Sequence, residues 1–223
     1  DEKTHTASST IENEVLVLDP KEFGDIIYFI PCPKSPHGTD VDPTGEYIVG
    51  SGKLAAVIPV FSFTKMQKAI ADKNFDGSFD DLPVLKYEAV LHGEVQKPGL
   101  GPLHTEFDAN GNAYTSMFVS SEIVKWDVKN LKVLDRVPTY YSIGHLSVMG
   151  GPTKKPYGKY LVAYNKITKD RYLPVGPELP QSAQLYDISG DKMKLLLDFP
   201  TVGEPHYAEA IPADKISKNS VKI

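Results

Sequence analysis

The sequence predicts an all-β fold, and within that class a β-propeller. Short runs rich in β-branched and aromatic residues follow one another along the 223 residues, separated by 17 Gly and 18 Pro. Segments that each carry one histidine recur at intervals of 67, 41 and 61 residues. Propeller repeats are about 40 to 50 residues long, so these intervals fit blades with some enlarged loops. We therefore predict one partial propeller domain over residues 1–223, with roughly four blades.

The individual elements follow from local patterns. The Thr64–Ala71 stretch contains good helix formers after a residue suited to an N-cap, which predicts one short helix with Thr64 as its cap. The other regular segments are short and bounded by turn residues, as strands are. The predicted strands are Glu14–Leu18, Asp25–Ile30, Tyr47–Gly50, Ala55–Phe61, Ala113–Phe118, Ile123–Val128, Tyr160–Tyr164, Gln184–Ile188 and Lys192–Phe199.

Four segments share one layout, which defines the repeat. A strand ends, a loop rich in Gly and Pro carries one His, a turn such as DPTG or DANG follows, and a new strand begins. The segments are 31–52, 99–118, 141–164 and 202–212. In the repeat unit that begins with the second segment, the KWD run at Lys125–Asp127 and the following VKNLKVLDRV predict a third strand, a turn and an outer strand, as in WD-type blades.

Composition excludes several classes of partner. The chain has 24 Lys and Arg against 29 Asp and Glu, for a net charge of -5 without a basic run, which argues against nucleic acid and anionic membranes. Apolar stretches are far shorter than the roughly 20 residues of a membrane-spanning helix, so no membrane insertion is expected. Cys32 is the single cysteine and has no internal disulfide partner; we expect a core thiol.

The repeated histidines are the candidate functional residues. If His37, His104, His145 and His206 occupy equivalent positions in successive blades, their imidazoles converge on the propeller axis. Converging neutral imidazoles suit copper, zinc, iron or nickel, and copper binds most tightly in that series. His5 and His92 lie outside the repeated layout and are expected to be structural or exposed.

Two other functions remain open from the residues alone. The first is a metal-free propeller that serves as a binding platform, in which each histidine is structural. The second is a propeller hydrolase with an axial divalent ion, which would require carboxylates where this repeat has histidine.

Several long strings resemble the propeller domain of the nitrous-oxide reductase family. They are KSPHGTDVDPTGEYIVGSGKL, GLGPLHTEFDANGNAYTSMF, SEIVKW, NKITKDRYLPVGP, QLYDISGDKM and EPHY, spread from about Phe29 to Ala213. The resemblance implies reduction of nitrous oxide to dinitrogen and water at CuZ, a sulfide-bridged four-copper cluster held by seven histidines in a seven-bladed propeller.

The resemblance also assigns roles by motif. His37, His104, His145 and His206 match four CuZ ligands, while Lys166 and Glu204 match residues beside the cluster edge where the substrate sits. A cation at that edge can stabilise negative charge on the substrate oxygen and assist protonation. Carboxylates near the histidines in sequence are candidates to orient the ligand rings. They are Asp40, Glu106, Asp108 and Glu204.

Other implications concern the whole enzyme. The remaining CuZ ligands and the cupredoxin domain with CuA match nothing in this segment, so the chain is expected to be part of the enzyme and inactive alone. The resemblance implies a periplasmic homodimer that receives electrons from a cytochrome c or a cupredoxin. Calcium is less strongly implied than copper, because Ser35 and Gln181 replace an Asn and a Glu linked to calcium in relatives.

Overall fold

The computed structural model describes residues 9–12, 15–23, 25–166 and 181–211. The chain divides into two compact units. One unit comprises residues 1–31 and 62–91, and the other comprises residues 32–61 and 92–223.

Short strands dominate the described residues. In chain order, they are β1 (Ser9–Glu12), β2 (Val15–Leu18), β3 (Pro36–Val41), β4 (Tyr47–Gly52), β5 (Val57–Ser62), β6 (Phe75–Phe79), β7 (Leu82–Leu85), β8 (Leu91–Gln96), β9 (Pro102–Phe107), β10 (Asn112–Met117), β11 (Glu122–Asp127), β12 (Lys132–Pro138), β13 (Ile143–Val148), β14 (Tyr160–Asn165), β15 (Ser182–Asp187) and β16 (Lys194–Pro200).

The larger unit contains three four-stranded sheets, which are the blades of a propeller. The first blade has the strand order β3-β4-β5-β8, the second β9-β10-β11-β12 and the third β13-β14-β15-β16. The first strands of the blades are neighbours, because β9 contacts both β3 and β13. The prediction of an all-β propeller is thereby confirmed. The blade count of four stays a prediction, since residues 201–211, which include most of the fourth histidine segment, contain no strand.

Two apolar clusters hold the blades face to face. The first includes Val49 and Ile58 from the first blade and Phe107 and Trp126 from the second. The second cluster includes Ile123 of the second blade together with residues of β13, β14 and β15. Trp126 is fully buried and donates its indole N–H to Thr115 Oγ1 at 2.9 Å. Stacked sheets with interleaved side chains give the blades a fixed orientation, which positions the ends of their first strands.

The smaller unit contains two hairpins and the predicted helix. Strand β1 pairs with β2, and β6 pairs with β7. The helix extends over Phe63–Ala71, and its N-cap is Ser62, whose Oγ accepts the Lys65 N–H at 3.1 Å. The predicted cap at Thr64 was therefore wrong by two residues. A single helical turn, Tyr87–Val90, precedes β8. In the described part of the chain, every helix is too short or too polar to cross a membrane.

Two strand predictions differ from the structure. Residues Asp25–Ile30 form no strand, only one bridge between Phe29 and Val84. Pro31 and Pro33 follow and lack the N–H groups that would continue a ladder. Conversely, the parts of the first three histidine segments that were predicted as loops are strands, and they form β3, β9 and β13. Pro36 and Pro102 begin two of them, at the strand position where proline is tolerated.

Candidate metal centre

Each first strand has a bulge near its beginning, and the bulge carries the histidine. In all three blades, two residues of the first strand lie opposite one residue of the second strand. The pairs are His37 and Gly38 opposite Ser51, Leu103 and His104 opposite Ser116, and Gly144 and His145 opposite Tyr164. A bulge changes the direction of its side chains, so it can aim an imidazole along the axis rather than across the sheet.

The histidines do not all occupy the same bulge position. His104 and His145 are the second bulge residue, whereas His37 is the first, and Gly38 takes the second position in its blade. His37 is therefore offset by one residue from the position of His104 and His145 in their bulges. A Cβ atom at Gly38 would overlap the Leu103 carbonyl oxygen and would lie 2.8 Å from His104 Nδ1. Glycine at this position leaves the space that the His104 ring needs.

The four imidazoles form one continuous row. The ring centroids of His37 and His104 are 5.0 Å apart, those of His104 and His145 are 3.8 Å apart, and those of His145 and His206 are 4.9 Å apart. The two central rings are within 20° of parallel. His206 joins the row from irregular chain after β16. Residues separated by up to 169 positions thus meet at one end of the blades.

Burial keeps the central imidazoles neutral. Burial lowers the pKa of His104 to about 3, and the neighbouring His145 contributes. Burial also lowers the pKa of His145 to about 4, with help from the Lys166 ammonium. The pKa of His37 is lowered by burial and by Lys166 as well. Neutral imidazole is the form that binds metal ions, so this environment favours metal binding over protonation.

Two ring nitrogens in the row have unused hydrogen-bonding capacity. His104 Nε2 and His145 Nδ1 are buried and have no hydrogen-bond partner. Buried polar atoms of this kind are uncommon and require a ligand, an ion or water. Among the described residues, no group of three or more His, Cys, Asp or Glu side chains surrounds a point suited to one ion. The imidazole nitrogens themselves are donors of the type that borderline transition metals prefer.

Lys166 and Glu204 lie beside the imidazole row. Lys166 follows β14 and is buried, and its alkyl chain crosses Gly144, where any Cβ would overlap it. Burial lowers the pKa of the Lys166 ammonium, and the Glu204 carboxylate opposes that shift. Glu204 Oε1 lies 4.0 Å from His206 Nδ1. A buried cation and an acidic group thus flank the histidines.

A pocket of 270 Å³ adjoins the row on the β3 and β9 side. Its lining includes Asp40, Glu106, His104, His145 and Tyr207. Burial raises the pKa of Asp40 to about 6. The pKa of Glu106 is raised to about 8 by burial and by the charge of the nearby Asp40. Tyr207 was not predicted as a site residue, yet its ring centroid is 5.0 Å from that of His145 and its hydroxyl donates to Glu209. Its position directly after His206 was the available signal.

The carboxylates expected to orient the histidine rings have other partners. Asp40 Oδ2 accepts the Thr105 N–H at 2.7 Å, and Glu106 Oε2 is buried without a partner. Asp108 closes the β9–β10 turn through bonds from Asn110, Asn112 and Tyr114. Glu204 is the candidate that the structure places beside a histidine of the row.

The remaining candidates lie away from the row. Cys32 is half-buried beside Gly50, with Sγ 3.9 Å from the Ser51 carbonyl oxygen, and burial raises the pKa of its thiol. His92 contacts the Tyr47 ring and the Lys129 carbonyl oxygen. His5 is outside the described residues.

The two positions linked to calcium make other contacts. The Ser35 carbonyl oxygen accepts the Lys53 N–H at 2.8 Å. Gln181 Nε2 donates to the Lys166 carbonyl oxygen at 3.1 Å.

Comparisons with known proteins find similar sequences. The family described as the nitrous oxide reductase propeller repeat matches residues 136–206. The nitrous-oxide reductase of Stutzerimonas stutzeri is 37% identical over 203 residues, and that of Ralstonia nicotianae is 40% identical over 199 residues. This chain is similar to part of these nitrous-oxide reductases. The alignments cover 86% and 84% of this chain but 30% and 29% of those relatives.

A solved structure supports the fold. A chain in a crystal structure of the mitotic checkpoint complex matches with a TM-score of 0.50 and 9% identity, over 75% of this chain and 41% of that one. At this identity the likeness concerns the fold alone. The chain spans about a third of the length of the nitrous-oxide reductases that it matches.

Proposed function

We propose that this chain is part of a copper enzyme that reduces nitrous oxide to dinitrogen and water. The observation that carries the proposal is the row of four imidazoles, whose central members are held neutral and have unsatisfied ring nitrogens. Homology to nitrous-oxide reductases over 86% of the chain supports the substrate. The balanced reaction consumes one nitrous oxide, two electrons and two protons.

The copper ligands from this chain are His37, His104, His145 and His206. Copper is the strongest binder among the divalent metals that imidazole suits, and a row of donors supports a multinuclear centre such as CuZ. When bound, copper supplies the electrons and a binding position for the weakly basic substrate. The low pKa values of His104 and His145 mean that metal ions compete little with protons for these rings above about pH 4.

Lys166 and Glu204 are the proposed catalytic residues. Negative charge develops on the substrate oxygen as the N–O bond breaks, and a nearby ammonium stabilises that charge. Lys166 holds a proton at Nζ beside the row, so it is also a candidate donor to that oxygen. The Glu204 carboxylate favours the protonated form of Lys166 against the effect of burial. The two residues thus keep a proton available beside the imidazole row.

Three further features rest on the homology alone and complete the proposal. They are a periplasmic location, a homodimer, and electron delivery from a cytochrome c or cupredoxin through a CuA centre outside this chain. Fractionation, light scattering and donor-dependent turnover of the natural full-length protein test them individually.

The proposal is tested with the natural full-length protein. Copper per protein is measured by mass spectrometry, and nitrous oxide consumption is measured with reduced viologen as the electron source. We expect His104→Asn and His145→Asn to lose at least about half of the copper and more than about 100-fold in activity, because each removes a buried ligand. His92→Asn is the matched control, since His92 lies away from the row, and it should retain both.

Two results would contradict the proposal. A folded, copper-loaded wild-type protein that does not reduce nitrous oxide would exclude the reaction. A folded protein that takes up no copper, with unchanged behaviour in the His104→Asn variant, would favour the metal-free binding platform.

A further inference from the structure

The three blades place one residue each at an equivalent position beside the histidine row. That residue directly follows the second strand, and its backbone N–H donates to the carbonyl oxygen of a residue with positive φ just before the first strand. The bonds are Lys53 to Ser35 at 2.8 Å, Phe118 to Gly101 at 2.7 Å and Lys166 to Ser142 at 3.1 Å. Lys53 is therefore the counterpart, in the first blade, of the proposed catalytic Lys166 in the third.

The Lys53 side chain is held by the counterpart residue of the next blade. Its Nζ lies 4.3 Å from the centroid of the Phe118 ring, at the distance of a cation–π contact. Its backbone is equally constrained, because a Cβ at Gly101 would lie 2.8 Å from the Lys53 carbonyl oxygen. Lys53 is half-buried, so its charge is only partly screened by solvent.

Strand register places Lys53 next to the histidine row. Gly52, the residue before Lys53, pairs with Pro36, the residue before His37. In the third blade, Asn165, the residue before Lys166, pairs with Ile143, two residues before His145. The two lysines therefore follow equivalent strand pairs, each next to a histidine-bearing bulge.

We propose that Lys53 is a second cationic residue of the site, which acts with Lys166 to stabilise negative charge on the substrate oxygen. The inference rests on the proposed reduction of nitrous oxide. Nitrous oxide is neutral, so an additional cation affects the ground state little. The charge appears in the transition state, and Lys53 therefore contributes to kcat rather than to KM.

The test uses Lys53→Met in the copper-loaded full-length protein. Methionine keeps an unbranched side chain that can pack on the Phe118 ring while removing the charge. We expect kcat to fall about tenfold, as for loss of one charge at moderate distance, with KM for nitrous oxide changed less than about twofold. Lys53→Arg retains the charge and should keep most of the wild-type kcat.

A second measurement needs no copper. Chloride binding to the metal-free full-length protein, followed by the line width of its chlorine-35 resonance, reports on the cationic end of the row. Lys53→Met should weaken this binding at least about threefold by removal of one charge. Lys132→Met removes the same charge from an exposed position on the outer strand β12 and is the matched control.

The outcomes separate the two proposals. One outcome is that wild-type protein reduces nitrous oxide, but Lys53→Met has the same kcat or the same chloride affinity as Lys132→Met. The role of Lys53 is then excluded, and the proposed function stands. If wild-type protein with copper does not reduce nitrous oxide, the reaction itself is wrong, and Lys53 has no transition state to stabilise.

Discussion

Lys166 combines burial with a charge that the surrounding residues do not fully neutralise. It is 7% exposed, its alkyl chain crosses Gly144, and its charge lowers the pKa of both His37 and His145. A lysine at the end of a strand would ordinarily extend into solvent, where its charge would be screened. Its burial here makes the ammonium an effective partner for charge that develops beside the imidazoles.

Lys166→Met should therefore lower kcat about 100-fold while copper content stays near wild type, since general acid and electrostatic contributions are of that order. Activity and copper content are measured on the same full-length preparation. Lys159→Met, an exposed lysine of the same blade, is the control. A Lys166→Met variant with wild-type kcat would remove Lys166 from the mechanism.

Glu106 makes stability depend on pH in the metal-free protein. Its pKa is raised from 4.5 to about 8 by burial and by the Asp40 charge. Between pH 4.5 and about pH 8, Glu106 keeps its proton in the folded chain and loses it in the unfolded chain. The free energy of unfolding therefore falls as the pH rises through this range. Glu106→Gln removes the titration and keeps the shape of the side chain.

We expect Glu106→Gln to unfold at a higher temperature than wild type at pH 8, with a smaller difference at pH 5, in thermal melts followed by circular dichroism. Glu88→Gln, at an exposed position of the described chain, should show no such pH dependence. Equal melting differences at both pH values would indicate that Glu106 is ionised in the folded protein.

At the scale of elements, the bulge at the beginning of each first strand organises the site. Opposite the bulge, the Ser51 hydroxyl accepts the Gly38 N–H at 2.8 Å, and the Ser116 hydroxyl accepts the His104 N–H at 3.3 Å. The N–H groups of these two bulge residues thus donate to serine hydroxyls, although the residues leave the regular strand ladder. This arrangement lets a histidine point away from the sheet without leaving buried N–H groups unsatisfied.

Gly38→Ala tests the spacing between the first and second bulges. The added Cβ would overlap the Leu103 carbonyl oxygen and crowd His104 Nδ1, so we expect about 1 to 3 kcal/mol lower unfolding free energy, as for overpacking. Copper content should fall as His104 is displaced. Gly190→Ala is the control, because its Cβ would have 4.0 Å to the nearest atom, the Lys192 carbonyl oxygen. Equal stability and copper content in both variants would contradict this account of the bulge.

At the scale of the whole molecule, the three blades leave an apolar outer strand. In the described part of the chain, β16 pairs with β15 on one side only, and all seven of its residues are exposed. Leu195, Leu196 and Leu197 are 48%, 47% and 53% exposed. An exposed apolar edge strand pairs readily with another chain.

The 223-residue chain alone should therefore self-associate with rising concentration, which light scattering measures directly. The double substitution Leu195→Lys and Leu197→Lys should shift it towards the monomer, because inserted lysines oppose edge pairing. Val119→Lys, at an exposed position outside the strands, should have no such effect. A wild-type chain that stays monomeric at high concentration would show that β16 is protected.

Local pattern was sufficient for much of the fold. Most predicted strands occur within one or two residues of their expected ends, and the helix does too, because alternation and turn residues act over a few positions. The strand predicted over Asp25–Ile30 does not form, because these residues precede two prolines and make only one β-bridge. The first strands were missed because proline and glycine at their beginnings resemble a loop when read locally.

The sequence by itself determined the all-β class and the repeated histidine segments, and its resemblance to nitrous-oxide reductases indicated Lys166 and Glu204 as candidates. Tertiary structure alone decided that His37 occupies a different bulge position from His104 and His145, and that Lys53, Phe118 and Lys166 are counterparts. The physical reason is register. Pairing between strands and contacts between blades depend on residues far apart in the chain, so a one-residue shift in a bulge has no local signature.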